Sequence, residues 1–192
     1  MRRFRTFIAI DLPKPIRDRI IALQHTLARV GTEVKWVEPE NLHVTLLFLG
    51  EVDERDVAAV CRTVTERCRE ESAFAMSVET AGCFPNVRRP RILWVGIGQG
   101  LEQICRLHDV LEPPLLALGC YRREERKYTP HVTLGRVKTD RPTEKLAAAL
   151  AKQAGWKGGE LVVNEVLVMA SDLTPEGPVY SVLGRARLGG GA

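Results

Sequence analysis

The tetrapeptide HVTL occurs twice in this chain, as His43-Val44-Thr45-Leu46 and as His131-Val132-Thr133-Leu134, and the two copies use two of its four histidines. Each copy lies in an apolar, β-branched run bounded by turn or charged residues, HVTLLFLG and HVTLGRV, which is how a largely buried strand reads. Strand side chains alternate between faces, so His43 and Thr45 share one face while Val44 and Leu46 share the other, and the second copy repeats the arrangement. A core strand has no reason to show an imidazole and a hydroxyl side by side. The two polar pairs are therefore expected to face a shared cleft.

The order of elements repeats around the tetrapeptide. The first half reads as a strand over residues 6–10 and a helix after Asp11-Leu12-Pro13 with Ile16, Ile20, Leu23 and Leu27 on one stripe, ending near Gly31. A short strand over 35–37, the first HVTL strand stopped at Gly50, a helix from about Asp53 and a strand over 74–80 complete that half. The second half reads as a strand over 91–97, a helix over 101–118 despite Pro113-Pro114, the second HVTL strand, a helix over about 142–153 and one apolar strand over 161–170. A last strand spans 178–183, and 189–192 is expected to fray. Phe7 lies 36 positions before His43 and Trp94 lies 37 before His131, while Phe74 lies 31 after His43 and Leu161 lies 30 after His131. Such agreement argues for duplication. The expected fold is α+β and bilobal: a single domain over 1–192 with lobes of about 1–86 and 87–192, whose strands are free to exchange. Two antiparallel-sheet lobes with outer helices would surround a central cleft.

With 192 residues, 45% of them hydrophobic, the chain can bury a core without staples. Its five cysteines, Cys61, Cys68, Cys83, Cys105 and Cys120, are odd in number and lack C-x-x-C spacing, which suggests reduced thiols rather than a disulfide framework or a zinc site. Asp11 interrupts the apolar run behind the basic N-terminus before a signal peptide or membrane span can form. A cytoplasmic monomer without membrane contact is expected. Net charge is only +4, but Arg88, Arg89 and Arg91, and Arg122, Arg123, Arg126 and Lys127, form local clusters that suit either solvent or a nucleic-acid backbone. Gly96, Gly98 and Gly100 lack nucleotide-loop spacing and read as a strand end, and His25 and His108 read as surface or boundary residues in helices.

Two imidazoles facing one ligand supply an acid and a base near neutrality. The threonine hydroxyls on the same face can donate to non-bridging phosphoryl oxygens, where charge accumulates. Neither HVTL strand offers a carboxylate or cysteine at ligand spacing, so the site reads as free of metal and cofactor.

Two H-x-T-x motifs in a duplicated α+β chain resemble the two-histidine (2H) phosphoesterases, and most closely their RNA 2',3'-cyclic phosphodiesterase branch, also called 2'-5' RNA ligase. The resemblance extends to Phe7-Ile8-Ala9-Ile10-Asp11-Leu12-Pro13, Asn41-Leu42-His43, Phe48-Leu49-Gly50 and Gly177-Pro178-Val179-Tyr180. It implies opening of an RNA 2',3'-cyclic phosphate to a 2'-phosphate, with His43 as proton donor, His131 as proton acceptor, and Thr45 and Thr133 binding phosphate. Arg136 matches a basic residue of some relatives, but it faces away from His131 in a regular strand unless Gly135 creates a bulge. Tyr128 is the best-placed candidate to stack a base, ahead of Phe48 and Trp94, which read as core. The implied partners are RNA 3' ends or cyclic nucleotide phosphates. The alternatives are reversible 2'-5' RNA joining, hydrolysis of a small cyclic nucleotide, or an RNA-end-binding module without turnover.

Overall fold

The computed structural model describes residues 2–119, 121, 123, 127–139, 144–175 and 177–189. Along them run β1 (Arg3–Asp11), α1 (Lys14–Ala28), β2 (Val34–Trp36), a 3-10 turn (Pro39–Asn41), β3 (His43–Asp53), α2 (Glu54–Arg69) and β4 (Phe74–Phe84). The second half supplies β5 (Ile92–Ile97), α3 (Leu101–Ala117), β6 (His131–Val137), α4 (Glu144–Ala151), β7 (Lys157–Val163), β8 (Glu165–Leu173) and β9 (Pro178–Arg187). Helix α1 matches its sequence pattern closely. Pro15 sits in its first turn, where a missing N–H leaves no bond unmade, and Ile16, Ile20, Leu23 and Leu27 form its buried stripe. Gly31, at φ 73°, then turns the chain back.

Several strand boundaries differ from expectation: β1 begins at Arg3 and β9 runs on to Arg187. β3 runs on through Gly50 to Asp53, and β4 runs on through Thr80 to Phe84, because bulges against β1 and β5 absorb the irregular backbone. The apolar run 161–170 is two strands broken at Asn164: β7 pairs with β4, whereas β8 pairs with β1 and β9. Val163 and Val166 are both buried on either side of it, and the polar pair Asn164-Glu165 is the mark of the break in the sequence. The expected start of α4 at Pro142, Cys120, Arg122, Arg126 and the last three residues lie outside the described residues.

The sheet is continuous and antiparallel, in the order β7-β4-β5-β6-β3-β1-β8-β9, with β2 added on β6. Outward from the middle, β6 matches β3, β5 matches β1, β4 matches β8 and β7 matches β9. β4, from the first half, therefore belongs with the second-half strands, while β8 and β9 cross the other way. Helices cross as well: α1 packs on β7 and α4, whereas α2 covers β8 and β9 and α3 packs against α2 and β3. One apolar core joins Val44, Leu46, Val132 and Leu134 of the sheet to Leu23, Val64, Leu111 and Leu146 of the helices. The opposite face of β3 and β6 is left open. At the middle of the sheet β3 and β6 share the pair Val44 and Val132, both with no exposed surface.

Candidate active site

Because Val44 and Val132 face each other with their side chains in the core, the residues on either side of them point to the open face. His43, Thr45, His131 and Thr133 are all half-buried there. The strands run antiparallel, so the register sets His43 opposite Thr133 and Thr45 opposite His131. The structure thus brings the four residues together as two crossed pairs. His131 lies near enough to His43 for its charge to disfavour protonation there.

Bulges set the direction of the side chains beyond each tetrapeptide. On β3, Ala9 and Ile8 of β1 pair with Thr45 and Leu47, which leaves Leu46 extra; on β6, Trp94 and Leu93 of β5 pair with Thr133 and Gly135, which leaves Leu134 extra. Each extra leucine stays in the core and shifts the alternation by one. Phe48 and Arg136 consequently emerge on the open face at equivalent positions, and both are exposed. Arg136 therefore shares the face of His131 and Thr133. Gly135 permits this, since a Cβ there would stand 2.7 Å from Val34 Cγ1 and 3.0 Å from the Lys35 carbonyl oxygen of β2.

Each imidazole is held by the backbone just before it. His43 Nδ1 donates to the Asn41 carbonyl at 2.8 Å, and His131 Nδ1 donates to the Thr129 carbonyl at 2.7 Å. A carbonyl only accepts, so the proton of each neutral ring sits on Nδ1 and the Nε2 lone pair is directed elsewhere. Thr45 donates its hydroxyl to His43 Nε2 at 2.9 Å. Burial is the main influence on both rings and pushes both pKa values below the usual 6.5, while the two carbonyls act in the opposite sense. Asp11, across from His43 in the register and bridged to Arg17, also favours the His43 imidazolium.

Aromatic walls complete the site. Phe7 and Tyr180 pack on the His43 ring at 5.0 and 5.4 Å, and Phe84 packs edge-on to His131 at 5.2 Å. Phe84 also meets Trp94, whose ring crosses so close to Gly82 that a Cβ there would lie 2.4 Å from it. Asn41 ties the His43 support to β9 by donating its side-chain amide to the Pro178 carbonyl at 2.9 Å. Asn41, Asp11 and Tyr180 are visible in the sequence only as parts of longer motifs, and Phe84 only by its place just inside the first lobe, 1–86. The roles they take depend on pairing across strands.

Tyr128 takes a place other than the expected stacking platform. One face of its ring is stacked on His108 at 4.2 Å, and its hydroxyl donates to the Thr45 carbonyl at 2.8 Å, which ties the approach to β6 onto β3. Burial pushes its pKa up. Tyr128→Phe, which keeps the ring stack and leaves the Thr45 carbonyl short of a donor, is expected to lower unfolding free energy by about 1 kcal/mol. Denaturant unfolding checks this, and an unchanged midpoint contradicts the cross-strand role. Phe48, by contrast, lies exposed under the Arg5 guanidinium, 4.9 Å from its ring centre. Arg123 of the second basic cluster is bound to Glu112 at 3.0 Å, while Arg88 and Arg89 are exposed. Cys61, Cys68, Cys83 and Cys105 are free thiols; burial pushes Cys68 up to about 12.

Among the described residues no three His, Cys, Asp or Glu side chains are grouped to hold a metal ion, and no helix is long and apolar enough to cross a membrane. The LigT like phosphoesterase family model matches the chain twice, over residues 10–94 and 96–180. An RNA 2',3'-cyclic phosphodiesterase of Methanothermobacter thermautotrophicus is 38% identical over 93% of this chain and 96% of its own. One of Archaeoglobus fulgidus is 37% identical over 93% and 97%. Among solved structures, E. coli LigT complexed with 3'-AMP superposes with a TM-score of 0.78 at 27% identity, over 97% of this chain and 99% of its own. Each of the two matched stretches carries one of the two histidines, His43 in the first and His131 in the second, and the chain belongs to the LigT-like phosphoesterase family.

Proposed function

We propose that the protein opens the terminal 2',3'-cyclic phosphate of RNA to a 2'-phosphate, with His43 and His131 as acid and base. One observation carries this reading: the Val44–Val132 register sets two His–Thr pairs in crossed order on one open face, with each ring oriented from behind. A phosphorus atom between the strands meets an imidazole on either side. In-line displacement needs that, because the attacking and leaving oxygens lie opposite each other. His131 takes a proton from water as the water oxygen bonds to phosphorus. The bond from phosphorus to the 3'-oxygen breaks, and His43 protonates that oxygen, leaving a 2'-phosphomonoester and a 3'-hydroxyl. Thr45 and Thr133 donate to the non-bridging oxygens. Burial lowers the pKa of both rings, and at His43, the ring assigned as the acid, the Asp11 carboxylate opposes that lowering. Arg136 adds a phosphate-binding charge on the same face. The names and identities of the archaeal relatives support the same substrate class.

The test is product identity. An oligoribonucleotide ending in 2',3'-cyclic phosphate, incubated with the protein and a chelator, is expected to end in 2'-phosphate; a 3'-phosphate product, or turnover only with added metal, contradicts the proposal. A pH profile adds a second check. Activity needs one ring protonated and one neutral, so kcat/KM describes a bell centred on the mean of the two free-enzyme pKa values. Burial lowers both values, so the maximum lies below the unperturbed histidine value of about 6.5 and kcat/KM falls at higher pH. The bound substrate anion favours protonation, so the kcat maximum lies at higher pH than that of kcat/KM. A kcat/KM that still rises above neutrality overturns this account.

A further inference from the structure

Among the described residues β3 and β6 share only the pair Val44 and Val132, and beyond it the same edge of β6 is covered by β2, from Trp36 opposite Gly135 to Val34 opposite Val137. Trp36 and Val44 are eight positions apart, whereas Gly135 and Val132 are three apart, so the chain leaves the edge of β6 between them. That excursion contains the 3-10 turn and Asn41, whose carbonyl holds the His43 ring. Gln24, only 6% exposed and placed among the apolar residues of the buried α1 stripe, reaches the point where the chain departs. Its side-chain amide donates to the Val37 carbonyl at 2.9 Å and to the Leu134 carbonyl at 2.9 Å. The Val37 N–H donates to the same Leu134 carbonyl at 2.9 Å. A buried amide costs stability unless its N–H groups are bonded. Here they join the start of the His43 support to the extra residue of the bulged His131 strand. On the far side of the Val44–Val132 pair, the Tyr128 hydroxyl makes the corresponding tie to the Thr45 carbonyl.

We infer that Gln24 is a positioning residue for the reaction: acting from the helix side of the sheet, its amide fixes the spacing of the two histidine strands and so the alignment of both imidazoles on one phosphorus atom. One ladder pair leaves two strands free to pivot, whereas in-line displacement needs acid and base held on opposite sides of phosphorus. An apolar side chain at position 24 would fill the same space and leave the Val37 carbonyl without the Gln24 donor. This role rests on the acid and base duties proposed for His43 and His131.

Gln24→Met keeps the length of the side chain and removes both bonds. Per folded molecule, it is expected to lower the single-turnover rate on a cyclic-phosphate oligonucleotide about 10²-fold, the loss that a misplacement of about 1 Å brings. Calorimetric affinity for adenosine 2'-phosphate is expected to stay within about threefold, because the loss falls on the transition state. In a His131→Ala background no aligned pair remains, so the same change is expected to cost less than about threefold there, since groups that act as a unit do not add. Gln24→Glu reads the same position without Gln24→Met. Burial keeps its carboxyl protonated near neutrality, so it can donate one of the two bonds. Its rate per folded molecule, relative to the unaltered protein, is expected to fall as pH rises and the carboxyl ionises. An affinity that drops in step with the rate, an undiminished loss in the His131→Ala background, or a Gln24→Glu ratio constant across pH overturns this inference and leaves the histidine roles standing. A near-normal rate in His131→Ala overturns those roles and this inference with them.

Discussion

His131→Ala is expected to lower kcat for cyclic-phosphate opening by about 10²–10⁴-fold, and His43→Ala by a similar factor, because each removes one of two positioned proton-transfer groups. Both rings are half-buried on the open face, and the core side of their strands is built by Val44, Leu46, Val132 and Leu134. Trimming an imidazole from the open face leaves that core intact, so the loss belongs to chemistry and not to folding. Thermal unfolding of each variant separates the two. The double variant is expected to fall little further than the worse single one, since acid and base act in one transition state and their losses do not add. Single-turnover rates on a cyclic-phosphate oligonucleotide provide the measurement. Near-normal rates in both single variants contradict the assigned roles.

The threonines come next in size. Thr45→Val and Thr133→Val keep the β-branched shape that suits a strand and delete only the hydroxyl. Each is expected to lower kcat by about 10²-fold, the loss typical of one donor aimed at developing negative charge. Thr45 carries a second duty, since its hydroxyl is hydrogen-bonded to His43 Nε2 in the free protein, and on protonation of the ring Nε2 becomes the donor and frees the hydroxyl proton for phosphate. Thr45→Val is therefore expected to alter the pH dependence as well as the rate, whereas Thr133→Val alters the rate alone. Should the substitutions raise KM and leave kcat unchanged, the hydroxyls bind substrate and transition state equally.

How far the sequence discloses this site depends on the kind of information each feature needs. The alternation of His43, Val44, Thr45 and Leu46 is local, so the facing of both His–Thr pairs is legible in seven or eight residues. The duplication is legible because an identical tetrapeptide marks equivalent strands. The equivalence of Phe48 and Arg136 is not, because a bulge is a property of two strands in register; Leu134 becomes the extra residue only against Leu93 and Trp94. Gly135 hints at it, and contact with β2 supplies the reason. The break at Asn164 is marked only by the polar pair Asn164-Glu165, which the buried valines on both sides make easy to read through as one strand. The place of Tyr128 is hidden for a related reason: nothing local announces that a ring beside the second tetrapeptide will lie on His108 and bond to Thr45.

The pH dependence of the residual activity in each histidine variant tests most directly whether two imidazoles of opposite duty act on one phosphorus atom. With His43 replaced, only the need for a neutral His131 remains, so kcat/KM is expected to rise with pH to a plateau. With His131 replaced, only the need for a protonated His43 remains, so kcat/KM is expected to fall as pH rises. Interchanged limbs would contradict the assigned direction of proton transfer, and a complete bell retained in either variant would contradict the pairing itself.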